Sequence, residues 1–281
     1  MARRSFQSPA RQRGVALLTA LLVVTLATIA AVSMATRQHM DIRRTTNVFT
    51  HDQAYQLSLG AEAYALRLLG EVHQNADVDL PWEGCLSPPI PVVLEDADLT
   101  VWLEDMHCRF NINDLATEDE SVHERFVQLL DAISVEAQGV TLDSDGLTRS
   151  LIDWLDPETD DPGYHSLEPP YLSGNQPMLS ATELRLVRGV TDEVWQEVAP
   201  YLTALPGTEA GMNLAEAPDV LREVFGEADA DTDDDEKTEF TSRYYRLAVR
   251  TELADRRFLL CSLLDVAEQR VILREQIPCG P

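Results

Sequence analysis

Six carboxylates crowd one short stretch, DWLDPETDDPGYHSLEPPY: Asp153, Asp156, Glu158, Asp160, Asp161 and Glu168. Like charges at this density repel one another unless solvent or a cation lies between them. Calcium takes roughly six to eight hard oxygens, often from proline-interrupted acidic loops. The stretch therefore reads either as a calcium site or as a solvated acidic loop. A second run, EADADTDDDEKTE, repeats aspartate at Asp229, Asp231, Asp233 and Asp235, the spacing that opens an EF-hand loop. Its sixth position is Asp234 instead of glycine and its twelfth is Phe240 instead of glutamate, so a solvated linker is the better reading.

Catalytic patterns fail one by one. SVHERFV supplies His123 and Glu124, but Val127 stands where H-E-x-x-H needs its second histidine. The sequence contains no G-x-S-x-G and no G-x-x-x-x-G-K, and its lone histidines read as surface or core residues. No catalytic residue is assigned, and the chain is not expected to be an enzyme. TELRLVRGVTDEV is faintly like a helix-hairpin-helix. The net charge of −26, from 48 acidic and 22 basic residues, argues against nucleic acid, whose binding depends on neutralising phosphates. Trp82, Trp102, Trp154 and Trp195 read as packing residues.

The four cysteines, Cys85, Cys108, Cys261 and Cys279, all follow a long apolar run. An even count beyond such a run suggests disulfides in an exported domain, with three possible pairings. Cys85–Cys108 with Cys261–Cys279 is preferred, because each pair falls within one block of sequence. Four buried thiols are the alternative. Zinc is disfavoured, since there is no C-x-x-C and only His107 adjoins a cysteine.

The elements that must position these residues begin at the N-terminus. Val15 to Ala35 carries no charge, and at about 1.5 Å per residue it can cross the roughly 30 Å hydrocarbon core. A cleaved secretory signal with Ala31-Val32-Ser33 as its cutting site is the rival, although its apolar region would be unusually long. Arginines flank the run on both sides, so charge bias does not fix its orientation. Ile42, Phe49, Tyr55, Leu59, Ala63, Leu66 and Leu69 extend the helical spacing, which predicts one helix from Val15 to about Leu69 whose second half packs one face on a globular body.

After the proline-rich PWEGCLSPPIP, alternation in VVLEDADLTVWLED predicts a hairpin, and RYYRLAVRTEL, RRFLLCSLLDV and QRVILREQI predict a meander. Tyr245, Leu247 and Val249 fall on one face, Arg246, Ala248 and Arg250 on the other. The segment between is helical. Val122, Phe126, Leu129, Leu130 and Ile133 share one helix face, and SDGLTRSLIDWLD and TDEVWQEVAPYL give two shorter helices. Ser180 with Glu183 forms a capping box opening SATELRLVRG, with Gly189 ending that helix. Asn213 with Glu216 is expected to open NLAEAPDVLREVF in the same manner, with Pro218 limiting its first turns.

The basic leader, Gly14 and the apolar start RGVALLTALLVV, followed by QAYQLSLGAEAYA, resemble the N-terminus of type IV pilins and type II secretion pseudopilins. That resemblance implies cleavage by a prepilin peptidase after Gly14 and methylation of Val15. Such proteins usually carry glutamate at the fifth mature position, which here is Thr19. The K-type minor pseudopilins, the general secretion pathway protein K family, are similar in lacking it. CRFNINDLAT, matching that family's opening block at Arg109, Phe110, Asn111, Ile112 and Asn113, carries the resemblance further, as do LIDWLDPETDD, GNQPMLSATELRLVRGVT and YLTALPG.

The resemblance implies an α+β fold: a pilin-like long N-terminal helix packed on an antiparallel sheet, with a large all-helical, SAM-like insert. The expected divisions are a leader at 1–14, a transmembrane part at 15–36, and the rest of the helix with the first strands at 37–110. The insert then occupies 111–226, an acidic linker 227–239, and the last strands 240–281. It also implies one structural calcium ion, with Asp153, Asp156, Asp160 and Glu168 as first ligands and Glu158 and Asp161 next. The family's usual glycine-rich GGAED segment is shortened here to GYHSLEPPY. The expected role is a minor pseudopilin at the pseudopilus tip, initiating or capping assembly for protein export. I-type and J-type minor pseudopilins, the inner-membrane secretion platform and the prepilin peptidase are the expected partners. The expected location is the inner membrane, crossed once, with the C-terminal domain in the periplasm. A type IV pilus minor pilin of the PilX kind and a membrane-anchored calcium-dependent binding protein are the alternatives.

Overall fold

The computed structural model describes residues 12–75, 80, 82–136, 142–158, 162–208, 210–226, 241–276 and 279. The leader before Gln12, the acidic run at 227–240, and Asp160 and Asp161 lie outside the described residues. The chain divides into two compact units, one ending at Ala54 and the other beginning at Tyr55.

The first unit is helical from Gln12, the opening of helix α1 (Gln12–Gln74). Its apolar side chains from Val15 to Val32 are exposed, and the helix is long and apolar enough to cross a membrane. The hydroxyls within it bond back to carbonyls of their own helix: Thr25 to Leu21 at 2.9 Å, Thr28 to Val24 at 2.8 Å and Thr36 to Val32 at 2.9 Å. A polar group shielded this way costs little in lipid, because its hydrogen-bonding demand is met locally.

In the second unit α1 runs five residues past the expected end at Leu69. Nothing in the sequence stops it earlier, and Asn75 closes it with its amide on the Val72 carbonyl (3.2 Å) and its side chain on the Glu71 carbonyl (3.0 Å). Gly70 is not a stop. It is where the turn carrying Gln269 comes close, since a Cβ there would meet the Gln269 side chain at 1.7 Å.

The sheet has five strands: β1 (Ile90–Val93), β2 (Asp98–Asp105), β5 (Tyr244–Leu253), β6 (Arg256–Asp265) and β7 (Arg270–Glu275). They lie in the order β1-β2-β5-β6-β7, all antiparallel. The predicted alternation holds, with Leu99, Val101, Leu103, Leu247 and Val249 all buried. Two polar ties fix α1 on the sheet. Ser58 Oγ lies 2.8 Å from Thr251 Oγ1, and Glu62 accepts from Ser262 Oγ at 2.5 Å and from Arg274 at 2.7 and 2.8 Å. On the opposite face the Arg250 guanidinium lies 4.9 Å from the Trp102 ring centroid. The bonds Cys85–Cys108 and Cys261–Cys279 are both formed.

Between β2 and β5 the chain builds the helices α2 (Glu120–Glu136), α3 (Ser144–Leu155), α4 (Asp192–Val198) and α5 (Asp219–Phe225). They share one core in which Phe126, Leu129, Leu130, Leu151, Leu155 and Leu184 are fully or almost fully buried. Two short parallel strands, β3 (Phe110–Asn111) and β4 (Leu202–Thr203), tie the start of this segment to the stretch just after α4. Asp143 caps α3 through the Gly146 amide, and Thr191 caps α4 through the Val194 amide.

Two local expectations need correction. The Ser180–Glu183 capping box forms, but it opens a 3₁₀ turn at Ala181–Leu186 instead of an α-helix. Val187 is extended, so the turn stops before Gly189, whose φ is +95°. The Asn213–Glu216 pair opens no helix at all: α5 starts only at Asp219, after Pro218. Proline cannot donate to a preceding carbonyl, so it suits a helix start and obstructs an interior. The side chain of Asn213 bonds instead to Asp105.

Candidate functional site

Three places in the chain carry the sequence-derived candidates, and the structure treats them differently. The first is the apolar half of α1. Gly14, Val15 and Thr19 all lie within the helix, and the Thr19 hydroxyl donates to the Ala16 carbonyl at 3.0 Å. No carboxylate stands in the helix between Gln12 and Met40.

The second is the acidic stretch that leaves α3. Its anchor is aromatic. Trp154 (4% exposed) packs edge-on against Tyr164 at 5.3 Å and near Tyr171 at 6.4 Å, and Tyr164 and Tyr171 are 5.5 Å apart. The Tyr164 hydroxyl accepts from the Arg188 amide at 3.2 Å, and that of Tyr171 donates to the Leu186 carbonyl at 2.7 Å. The loop is thereby pinned to the turn before α4. A Cβ on Gly174 would lie 2.6 Å from Trp154 Nε1, so only glycine lets the returning chain press on the indole. That Nε1 is buried and lacks a hydrogen-bond partner among the described residues.

The carboxylates themselves are dispersed. Asp156 Oδ1 accepts from the Glu158 amide at 2.9 Å, while Glu158 and Glu168 are exposed. Asp153 is half-buried and lines a separate cavity of about 470 Å³ with Asp143, Arg149, Arg188 and Gly189. Among the described residues no three His, Cys, Asp or Glu side chains gather closely enough to hold a metal ion. The donors are of the right chemical type for calcium, while Asp160 and Asp161 fall outside the described residues.

The third is the join between the helical segment and the sheet, only part of which the sequence marked. Glu104 on β2 is buried between Arg109 and Arg246 and pairs with both. Arg109 also donates to the Ala199 carbonyl at 3.2 Å. Burial, with the charge of Arg246, holds the Arg109 guanidinium below its ordinary pKa against the pull of Glu104. Asp105 accepts from Asn213 Nδ2 at 3.1 Å and from Ser242 Oγ at 2.5 Å. His107 lies beside it, stacked 5.5 Å from Tyr244. Asn111 and Asn113, in the RFNIN block, bond to Leu205 and Met178. Asp105 and His107 were missed because their partners lie more than a hundred residues away, the side chains of Asn213 and Ser242 for Asp105 and backbone groups of Gly211, Arg243 and Tyr244 for His107, and no spacing announces them.

Comparisons with known proteins agree with this architecture. A family described as type II secretion system (T2SS), protein K matches residues 108–207. The chain is similar to the type II secretion system protein K of Aeromonas hydrophila, 30% identical over 221 residues covering 73% of this chain and 67% of that one. It is 29% identical to the protein of that name from Pseudomonas aeruginosa over 302 residues, covering 90% of this chain and 89% of that one. Among solved structures, a chain of the GspK-GspI-GspJ complex from enterotoxigenic Escherichia coli shares its fold. The TM-score is 0.68 at 23% identity, covering 84% of this chain and all of that one.

Proposed function

This chain belongs to the type II secretion system protein K family, a minor pseudopilin of that system, and we propose that it occupies the pseudopilus tip, initiating or capping assembly for the export of folded proteins. The observation that carries this reading is Thr19. In an assembled filament of pilin-like subunits a carboxylate at that position neutralises the terminal amine of an adjoining subunit. An unpaired charge in such an apolar bundle costs about 3 kcal/mol or more. Thr19 offers no carboxylate, and its hydroxyl is turned back on its own helix at Ala16. A subunit of this kind suits the one place where no further subunit lies beyond it.

The apolar helix is a single membrane anchor. The proposed setting is the inner membrane with the second unit in the periplasm, which accords with two disulfides in that unit. Processing would cut between Gly14 and Val15 by a prepilin peptidase and methylate Val15. The proposed partners are I-type and J-type minor pseudopilins, together with the inner-membrane platform. The solved chain of like fold comes from a complex of GspK, GspI and GspJ, which supports that choice.

One structural calcium ion belongs to the same reading, on Asp153, Asp156, Asp160 and Glu168 with Glu158 and Asp161 next. Its support is the donor chemistry of a carboxylate-rich loop that starts at the C-terminus of α3, where the helix dipole favours a cation. Its test is terbium luminescence sensitised by Trp154. A calcium-competed signal that weakens in Asp156→Asn is expected, and no signal would remove the ion from the reading.

The tip assignment is tested with the full chain in its membrane. Mass spectrometry of the N-terminus is expected to find methylated Val15, whereas an intact Met1 would make the helix a plain anchor. Thr19→Glu is expected to move the protein from filament ends into filament shafts, read by immunogold labelling. Wild-type protein labelled along the shaft would end the tip assignment.

A further inference from the structure

The helical insert closes on itself before it meets the sheet. Among the described residues, its core draws on side chains between Phe110 and Phe225. Asn113 Nδ2 donates to the Met178 and Leu205 carbonyls at 2.9 and 2.8 Å, and its Oδ1 accepts from the Met178 amide at 2.8 Å. Asn111 Oδ1 accepts from the Leu205 amide at 2.8 Å. These bonds seal the insert internally.

The join to the sheet differs in kind. Its apolar part is small, with Met106, Leu205 and Tyr244 at the centre. The remainder is polar: next to the Glu104 cluster with Arg109 and Arg246, in which Arg109 reaches the Ala199 carbonyl, two neighbours gather most of its hydrogen bonds. His107, 2% exposed, has Nδ1 at 3.1 Å from the Gly211 carbonyl and Nε2 at 3.1 and 3.2 Å from the amides of Arg243 and Tyr244. The partners assign the hydrogen to Nδ1, leaving Nε2 to accept twice. Asp105 accepts from Asn213, Ser242 and the His107 amide. The Asn213 amide in turn donates to the His107 carbonyl at 2.9 Å. Three stretches therefore meet on these two side chains: the end of β2, the far loop of the insert, and the start of β5.

We infer that Asp105 and His107 form a clasp that sets the pose of the insert against the sheet, separately from the folding of either body. The insert's core is apolar and closed on itself, and α1 is held to the sheet by its own ties, whereas the clasp consists of hydrogen bonds that water can replace. A change of pose therefore breaks the clasp and leaves that core and those ties intact. The insert is a rigid body on a polar hinge, and whatever binds it acts on its angle.

Amide hydrogen exchange on the full chain in detergent micelles tests this. Two amides report the clasp, Arg243 and Tyr244, and two report the insert's interior, Met178 and Asn175, the latter donating to the Trp154 carbonyl at 2.8 Å. In His107→Leu, exchange at Arg243 and Tyr244 is expected to quicken by about tenfold or more, with Met178 and Asn175 within about twofold of wild type. Ser242→Ala, which removes one donor to Asp105, is expected to show the same pattern at about threefold. Quickening of all four amides together would overturn the inference, because the clasp would then belong to the insert's fold. Unchanged rates at Arg243 and Tyr244 would overturn it too. So would a His107→Leu chain that fails to fold alongside a Ser242→Ala chain with wild-type rates throughout.

Discussion

Glu62 on α1 and Arg274 on β7 meet as a two-pronged pair, Nε and Nη2 lying 2.8 and 2.7 Å from the two carboxylate oxygens. Glu62 is 3% exposed while Arg274 reaches solvent, so the carboxylate is the partner that depends on the pair. Ser262 supplies a third bond. Arg274→Ala is expected to cost about 2–4 kcal/mol, because it strands a buried charge. Glu62→Gln, which leaves an amide able to bond to Ser262, is expected to cost less. Urea unfolding in detergent checks the order of the two, and equal effects would contradict it.

Asp265 has no exposed side-chain surface and is paired with Arg243 and Arg270. Burial pushes its pKa up, but hydrogen bonds from Arg243, the Glu268 amide and Arg270 outweigh that and leave it below the ordinary carboxylate value. Those bonds hold Arg243 raised in turn. A depressed folded pKa adds stability that is full above the unfolded value of about 3.9 and is lost as pH falls through the folded one. Melting temperature is therefore expected to fall below about pH 4 in wild type and to fall less steeply in Asp265→Asn. Parallel curves would contradict the assignment. At neutral pH the substitution is expected to cost about 2 kcal/mol.

Cys85 and Cys108 close a loop with a sequence separation of 23. Loop-closure entropy for that length predicts a loss of about 3 kcal/mol when both are changed to serine. Cys261 and Cys279, separated by 18, are expected to contribute a similar amount. Denaturation with and without reductant checks both, and wild-type protein indifferent to reductant would refute them.

Gly174 lies too close to the Trp154 indole for any side chain. Gly174→Ala is expected to destabilise by about 1–3 kcal/mol and to shift Trp154 fluorescence as the ring gives way. Gly60 is the matched control. Its Cβ position is open, so Gly60→Ala is expected to leave stability unchanged or to raise it by up to about 1 kcal/mol through helix propensity.

Net charge sets a further expectation. At −26 the chain repels itself, and salt screens that repulsion. Melting temperature is expected to rise as sodium chloride increases from about 0.05 to 0.5 M. A fall would mean that specific pairs such as Glu104 with Arg109 and Arg246 dominate.

What the sequence disclosed was local. The uncharged run, the shared face of Phe126, Leu129, Leu130 and Ile133, and the alternation from Tyr245 to Arg250 each rest on neighbours a few residues apart, and each appears in the fold. The Ser180–Glu183 cap was legible for the same reason, although the turn it opens is 3₁₀ because Val187 breaks away. Glu62 reads as an ordinary exposed helix glutamate, since Ser262 and Arg274 lie 200 and 212 residues away. Asp105 and His107 were hidden likewise. In the acidic stretch, composition marked the carboxylates, but only coordinates show that Asp153 turns toward a cavity with Arg188 while Glu158 and Glu168 face solvent.

The pairing of β2 with β5 across the whole insert has a kinetic corollary. A ribosome delivers β2 long before its central partner, so the middle of the sheet cannot zip until nearly the entire polypeptide has been synthesised. The helical bundle, whose contacts are closer together in sequence, can ripen first, leaving the greasy face of α1 uncovered until the final hairpin arrives.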